Sequence, residues 1–462
     1  MFKPEVYAAR RKQLLESLSG GVVLLPGNDF SSMNYPANFY HFRQDSDFLY
    51  FFGHDHDGHS GIMDVDEGKD ILVGDDLTMD DIIWMGNQPV MKDKAAQCGT
   101  EHTLSRGKLS EYIKDAMDKG RKVHILPPYR GDHWLALEGI FGKSHSEIRQ
   151  HVSVEAIKAV VKLREIKDAG EIAEIEKAVD IAYIMHTTSM KMAMPGIVEQ
   201  EIAGTVEGLA LAHGKPVSFP VILSQNGQIL HNHDHSQVLK EGRMMVTDTG
   251  TESPFHYASD ITRTVPVGGK FNTRQKEIYE IVLKANVDTI EMIKPGVFYK
   301  DVHFLAARTI ANGLKDLGLM KGDIDEIVKA GAHALFFPHG LGHAMGLDVH
   351  DMEGLGENFV GYDDSVQRSD QFGLAFLRFG KKLQPGYVMT DEPGCYFIPA
   401  LIDMWKSEGK FMEFINYDKV ETYKDFGGVR IEDDILVTED GYKLLGKPIP
   451  KTVKEIEDTM KK

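Results

Sequence analysis

The motif MAMPGI at 192–197 returns one hundred residues later as MIKPGV at 292–297, each copy followed by an acidic and a β-branched residue, Glu201-Ile202 and Asp301-Val302. Each copy lies between a long helical stretch and a second one. Ahead of the first, Ile172, Ile175, Val179, Ala182 and Met185 recur at helical spacing with charged residues elsewhere. The same helix–turn–helix unit used twice implies a domain made of duplicated halves, with strands of both halves in one curved sheet and the helices as its outer wall. Chance recurrence of so short a motif is the competing explanation.

That unit accounts for only part of a chain of 462 residues, which is too long for one ordinary core. Residues 1–155 read as a separate mixed α/β domain, with a helix at 3–17 and short apolar strands at 21–25 and 70–73 punctuated by Gly and Asp. A helical pattern spans 154–194, so the boundary is expected at its start and the second domain at 156–462. The expected fold class is α/β (α+β). A formal charge of -18 disfavours nucleic acid and anionic membrane surfaces, and no stretch approaches the ~18 apolar residues of a membrane span. Two cysteines, Cys98 and Cys395, allow no disulfide framework and fit a reducing compartment, so a cytoplasmic protein is expected.

Chemistry concentrates in the second domain. Strands at 243–250 and 258–266 joined by a short turn would bring Asp248 and Asp260 side by side, where two carboxylates repel unless a cation joins them. As a pair they read equally well as turn or cap residues. Three later segments add to them. FFPHGLGHAMGLDVHD at 336–351 sets His339, His343 and His350 among glycines and apolar residues; Glu392 ends an apolar strand before a Pro-Gly turn; Glu432 sits among apolar neighbours, with Arg430 two residues away on the same strand face. Four carboxylates carry four negative charges, which two divalent ions cancel. Oxygen-rich coordination with one histidine favours Mn²⁺, with Co²⁺ or Zn²⁺ able to bind.

In order along the chain, Asp248, DITRT with Asp260, HGLGH with His343, DEPG with Glu392 and RIEDD with Glu432 resemble the metal-site signatures of the pita-bread metallopeptidases. The resemblance is to the proline-directed branch that holds aminopeptidase P and prolidase. It extends to the N-terminal domain through FRQDSDF at 42–48 and MDVDEGK at 63–69. It implies Asp248 on one metal, His343 and Glu392 on the other, and Asp260 and Glu432 bridging, with Glu392 also the general base. It further implies His231 over the substrate, His350 against the scissile carbonyl, and His339, Tyr396 and Arg430 in support. Arg378 matches the arginine that can meet a dipeptide carboxylate in prolidases, and similar arginines also occur in aminopeptidase P. The implied substrates are Xaa-Pro peptides or dipeptides, and the implied assembly is a homodimer.

DITRTVPV looks more like aminopeptidase P. An insertion at 399–426, WMG at 84–86 and DVDEGK at 64–69 look more like prolidase. Non-catalytic pita-bread relatives that bind peptides or proteins form a different class; they lose ligands, as metal-free creatinase-like hydrolases lack them, whereas this chain keeps all five. HDHDGH at 54–59 reads as a solvated acidic loop in preference to a metal site, and His233 and His235 face solvent or line an entrance.

Overall fold

The computed structural model describes residues 1–461, which fall into two compact units. The first comprises Met1–Arg164 with Glu353–Phe359; the second comprises Glu165–Met352 and the chain from Val360 onward. Among the described residues no helix is long and apolar enough to cross a membrane.

The first unit is built on a five-stranded mixed sheet. Val22–Pro26 lies between antiparallel Ser60–Asp64 and parallel Val123–His124, and Lys69–Val73 continues the sheet beyond Ser60–Asp64. Four successive residues of Val22–Pro26 are buried because both faces are covered. Leu109, Ile113 and Ala116 of Arg106–Asp118 pack with Val22, Leu24 and Ile71 in one cluster. The ring of Phe52, from helix Ser46–Phe52, lies against Gly61.

The histidines at 54–59 correct the sequence reading. His54 and His59 are buried, with rings 5.9 Å apart, and of the three histidines in this stretch only His56 is exposed. His54 Nε2 lies 2.6 Å from the Lys94 carbonyl, and the buried Lys94 ammonium lies 3.4 Å from His59 Nε2. Burial pushes both imidazoles down to about 4, so they are neutral core groups.

In the second unit the hundred-residue echo is structural. Helix Ala169–Met192 turns through the first motif into Glu199–His213, and Thr273–Met292 turns through the second into Tyr299–Asp316. Gly196 and Gly296 take φ of 93° and 89°, a left-handed conformation that glycine adopts without steric cost. The turns are tied down alike: Gly196 N–H donates to the Leu239 carbonyl and Gly296 N–H to Leu383, while Leu239 and Leu383 donate back to Ile197 and Val297. The first helix pair leads into the antiparallel ladder of Ile222–Ser224, Met244–Thr249 and Ile261–Pro266. The second leads to Val388–Asp391, which pairs with Asp433–Val437. An antiparallel bridge between Thr262 and Glu432 joins the two ladders.

The helical pattern at 154–194 is two helices, Val154–Arg164 and Ala169–Met192. Asp168 caps the second by accepting from Gly170 and Glu171 N–H groups, while the Glu171 side chain bonds back to the cap, so the break is encoded by a capping box.

Candidate active site

Met244–Thr249 and Ile261–Pro266 form the expected hairpin, with Asp248 opposite Thr262 and every residue of both strands buried. Asp260 precedes the second strand, and its N–H donates to Asp434 Oδ2 at 3.0 Å. Glu432 lies between strands Gly428–Arg430 and Asp433–Val437; its N–H donates to the Thr262 carbonyl, and the Thr262 hydroxyl donates to its Oε2 at 2.6 Å. The HGLGH loop closes on Val388–Asp391 through paired bonds between His343 and Thr390, and Glu392 N–H donates to the Leu341 carbonyl. Two ladders and one loop therefore converge on the same point.

His343 Nε2 stands 3.5 Å from Asp260 Oδ2 and 3.9 Å from Glu392 Oε1. Its Nδ1 lies 3.1 Å from the Ala344 carbonyl. A carbonyl accepts only, so the ring proton sits on Nδ1 and Nε2 is left with its lone pair toward the carboxylates, the tautomer a metal needs. Burial, with His350 next, holds His343 well below the usual histidine range. Ligand atoms of Asp260, His343 and Glu432 all lie within 4.8 Å of one another.

Asp248 is held differently. Arg430 Nη2 donates to its Oδ2 at 2.6 Å, while Arg430 Nη1 donates to the Tyr396 hydroxyl and Nε to the Thr262 hydroxyl. The Tyr396 hydroxyl lies 2.9 Å from His339 Nε2, and His339 Nδ1 lies 2.8 Å from the Gly340 carbonyl, so Tyr396 donates and fixes the His339 ring. Tyr396 is fully buried and does not line the cavity; it supports His339 and Arg430 and offers no surface to a substrate.

This arrangement is electrostatically incomplete. Burial, and then the Glu432 and Asp248 charges, raise Asp260 well above the carboxylate range; burial and Glu392 do the same to Glu432. Burial pushes Glu392 up to about 8, with Arg430 opposing and Asp248 adding. Asp248 Oδ1 and Asp260 Oδ1 are buried with no hydrogen-bond partner. Unpaired buried carboxylate oxygens are costly, and divalent cations at this point would supply the missing charge and partners, so the residues present fit a metal site.

All five predicted ligands line one cavity of about 560 Å³, together with His231, His339, His350, Arg378 and Arg430. The His350 and His343 rings are 4.0 Å apart. His233 also lines it, whereas His235 points its Nδ1 at the Leu223 carbonyl. The sequence reading missed three contributors. Thr262 shares a strand face with Asp260 and Thr264, a period-two signal that was available. Phe372 and Phe376 lie in a segment without periodicity and carry no comparable signal.

A deep cavity floored by four carboxylates and a histidine defines a metal-dependent hydrolase. The chain belongs to metallopeptidase family M24, whose model matches residues 173–439. The aminopeptidase P N-terminal domain model matches residues 7–126. The chain is 31% identical to Xaa-Pro dipeptidase of Homo sapiens over 98% of its length and 93% of the relative's. It is 34% identical to a probable Xaa-Pro aminopeptidase of Aspergillus clavatus, covering 90% and 88% of the two chains. The structure of an Escherichia coli aminopeptidase P variant in complex with substrate matches at a TM-score of 0.82 and 28% identity, covering 99% and 98%. The fold is thus the α/β pita-bread fold of this family, and the protein is a metallopeptidase working with divalent metal ions.

Proposed function

We propose that the protein is a dinuclear-metal exopeptidase hydrolysing Xaa-Pro bonds, with Xaa-Pro dipeptides as its substrates. The observation that carries this is the single cavity in which the five-ligand cluster and the Arg378 guanidinium face the same space. Asp248 would hold one ion, His343 and Glu392 the other, and Asp260 and Glu432 both; the chemistry they supply is activation of a water and polarisation of the substrate carbonyl. Manganese is the ion we assign, from the oxygen-rich, one-histidine set.

The chain's own groups do the rest. Glu392 Oε1 faces His343, and Oε2 lies 3.8 Å from His339 Nδ1 on the other side. Oε2 is the atom we assign to take the proton from the attacking water and return it to the proline nitrogen, which lacks an N–H and leaves only once protonated. His350 donates to the carbonyl oxygen as charge develops there. His231 covers the substrate, His339 and Tyr396 fix the wall beneath it, and Arg430 holds Asp248. Arg378 pairs with the proline carboxylate, as a guanidinium does bidentately.

The chemistry belongs to residues 156–462 and none of it to 1–155. With both cysteines buried and unpaired, we place the enzyme in the cytoplasm, as a homodimer that a sizing column would register. The deciding assay offers Mn²⁺-loaded enzyme Gly-Pro, Ala-Pro and Ala-Pro-Ala. Turnover of the dipeptides alone is expected. Turnover of the tripeptide with the dipeptides inert would make it an aminopeptidase, the reading favoured by DITRTVPV at 260–267.

A further inference from the structure

Two phenylalanines on the cavity wall are left largely in the open. Phe372 is 40% exposed and Phe376 is 55% exposed, although both line the cavity that holds the carboxylate cluster. Their rings stand at 86° to each other with centroids 6.3 Å apart, forming an apolar corner. Neither has a part in the hydrolytic chemistry, and exposed apolar surface beside a binding site is stabilised when a ligand covers it.

Local structure fixes where this corner points. Leu377, which ends the 3-10 turn Leu374–Phe376, is fully buried, while its neighbours Phe376 and Arg378 both line the cavity. The segment is anchored: the Tyr362 hydroxyl donates to the Leu377 carbonyl at 2.6 Å, and Arg368 donates to the Ala375 carbonyl. It also packs tightly on the HGLGH loop, since a Cβ at Gly340 would fall 2.7 Å from the Phe376 oxygen. An aromatic corner and a guanidinium are therefore presented together, at a fixed offset from His339 and His343.

Behind the corner stands the 399–426 insertion. Trp405, buried in helix Pro399–Ser407, meets Phe372 edge-on with ring centroids 5.8 Å apart. Phe411 also meets Trp405 edge-on at 5.4 Å, and the Lys410 ammonium lies 4.2 Å from the Trp405 ring. The insertion is itself tied to the chain after Tyr299–Asp316: Lys321 N–H donates to the Phe414 carbonyl and Asn416 N–H to Leu319.

We propose, resting on the Xaa-Pro reading above, that Phe372 and Phe376 form the platform for the substrate's proline ring, with Arg378 on its carboxylate and Trp405 positioning the platform. A pyrrolidine ring offers C–H groups made electropositive by the adjacent imide nitrogen, which complement the negative face of a phenyl ring. Aromatic-lined surfaces also recur where Pro-rich segments are recognised. An aliphatic side chain lacks that polarity, so the corner selects the ring and not the residue before it.

The test uses Mn²⁺-loaded Phe372→Ala and Phe376→Ala enzymes with Gly-Pro, Ala-Pro and Leu-Pro, and calorimetric binding of free proline. Each variant is expected to raise KM roughly tenfold, a loss of about 1.4 kcal/mol, with kcat falling by less. The factor should be the same for all three substrates, and proline binding should weaken equally. Trp405→Ala should reproduce Phe372→Ala, and Trp405→Phe should restore most of the loss. Unchanged KM and proline affinity in both phenylalanine variants would overturn the proposal, as would a penalty that grows with the residue before proline. Wild-type enzyme that binds proline but cleaves no Xaa-Pro dipeptide would overturn the functional reading, while the proline measurements would still decide the platform.

Discussion

Replacing Thr262 by valine removes one hydroxyl from behind the candidate metal cluster while keeping the side chain's shape. Thr262 is fully buried; its Oγ1 donates to Glu432 Oε2 at 2.6 Å and accepts from Arg430 Nε at 3.1 Å. A hydrogen bond to a charged group contributes about 1.5–3 kcal/mol, and its loss leaves Glu432 to orient itself against the other carboxylates. If that loss falls on the metal-bound state, affinity drops roughly 10- to 100-fold, the range seen when a ligand's supporting partner is removed. The hydroxyl also favours the ionised form of Glu432, opposing the rise caused by burial. Without it protons compete harder for Glu432, so the deficit should widen as pH falls. The assay is Mn²⁺ binding against a chelator at two pH values, comparing wild type, Thr262→Val and Thr262→Ser. Wild-type affinity in Thr262→Val, or a serine variant as weak as the valine one, would refute the reasoning.

Arg430→Met should destabilise the protein by about 3–5 kcal/mol with metal stripped, because Asp248 Oδ2 loses its charged partner at a buried site. Cations would neutralise Asp248 in its place, so urea midpoints should fall less in the loaded protein, and equal shifts would contradict this. Glu392→Gln should reduce turnover by at least about 10²-fold, as for loss of a general base, while Asp248→Asn chiefly loosens metal; activity and metal content measured on the same samples separate the two. The raised carboxylates set a pH dependence for the metal-free protein. A group whose folded pKa is raised contributes stability that is fully present below its unfolded value and lost as pH rises through the folded one, which for Glu392 is about 8. The Glu392 contribution is lost between its ordinary value of 4.5 and about 8, so denaturation midpoints of EDTA-treated protein should fall from neutrality up to about pH 8, and Mn²⁺ should remove the slope. Below the ordinary histidine range the buried imidazoles, His343 among them, act with the opposite sign, so a midpoint that rose steadily with pH from neutrality would count against this carboxylate account.

The parts of the site that were legible in the sequence are those fixed by local rules. Strand alternation and a short turn put Asp248 and Asp260 on one hairpin, and a strand ending in Pro-Gly placed Glu392 at its tip. The Pro-Gly echo predicted two equivalent helix turns, and the paired bonds of Gly196 and Gly296 show why the motif recurs. What stayed hidden depends on residues distant in the chain. His54 and His59 are neutral core groups because they are buried, and the Lys94 carbonyl and ammonium they meet lie forty and thirty-five residues further on, whereas a run of His and Asp alone reads as solvated. Phe372 and Phe376 have no periodic context, and their role depends on an insertion that begins after residue 398. The break between Val154–Arg164 and Ala169–Met192 is a different case, since Asp168 and Glu171 spell a capping box that outweighs an unbroken apolar pattern.

The seam between the duplicated halves explains why the carboxylates can be buried at all. The first half contributes Asp248 and Asp260, with the buried Arg263 donating to the Glu432 carbonyl; the second contributes His343, Glu392 and Glu432 together with Arg430 and Arg378. Arg430, the larger of the two guanidinium influences opposing the Glu392 shift, also crosses the seam to Asp248, and the Thr262 hydroxyl crosses it in the other direction to Glu432. Each half therefore neutralises or orients a carboxylate of the other, and neither assembles the cluster alone. Arg430 and Arg378 offset the four negative charges only in part, so the remaining imbalance is concentrated where the ladders meet. Divalent ions bound there would act as the charge balance of the joined halves as well as the reagent of the reaction, coupling metal occupancy to cohesion of the whole second unit. On that basis EDTA should increase amide exchange at both Met244–Thr249 and Val388–Asp391, strands on opposite sides of the seam; exchange that rose on one side alone would show that the halves hold together without the ions.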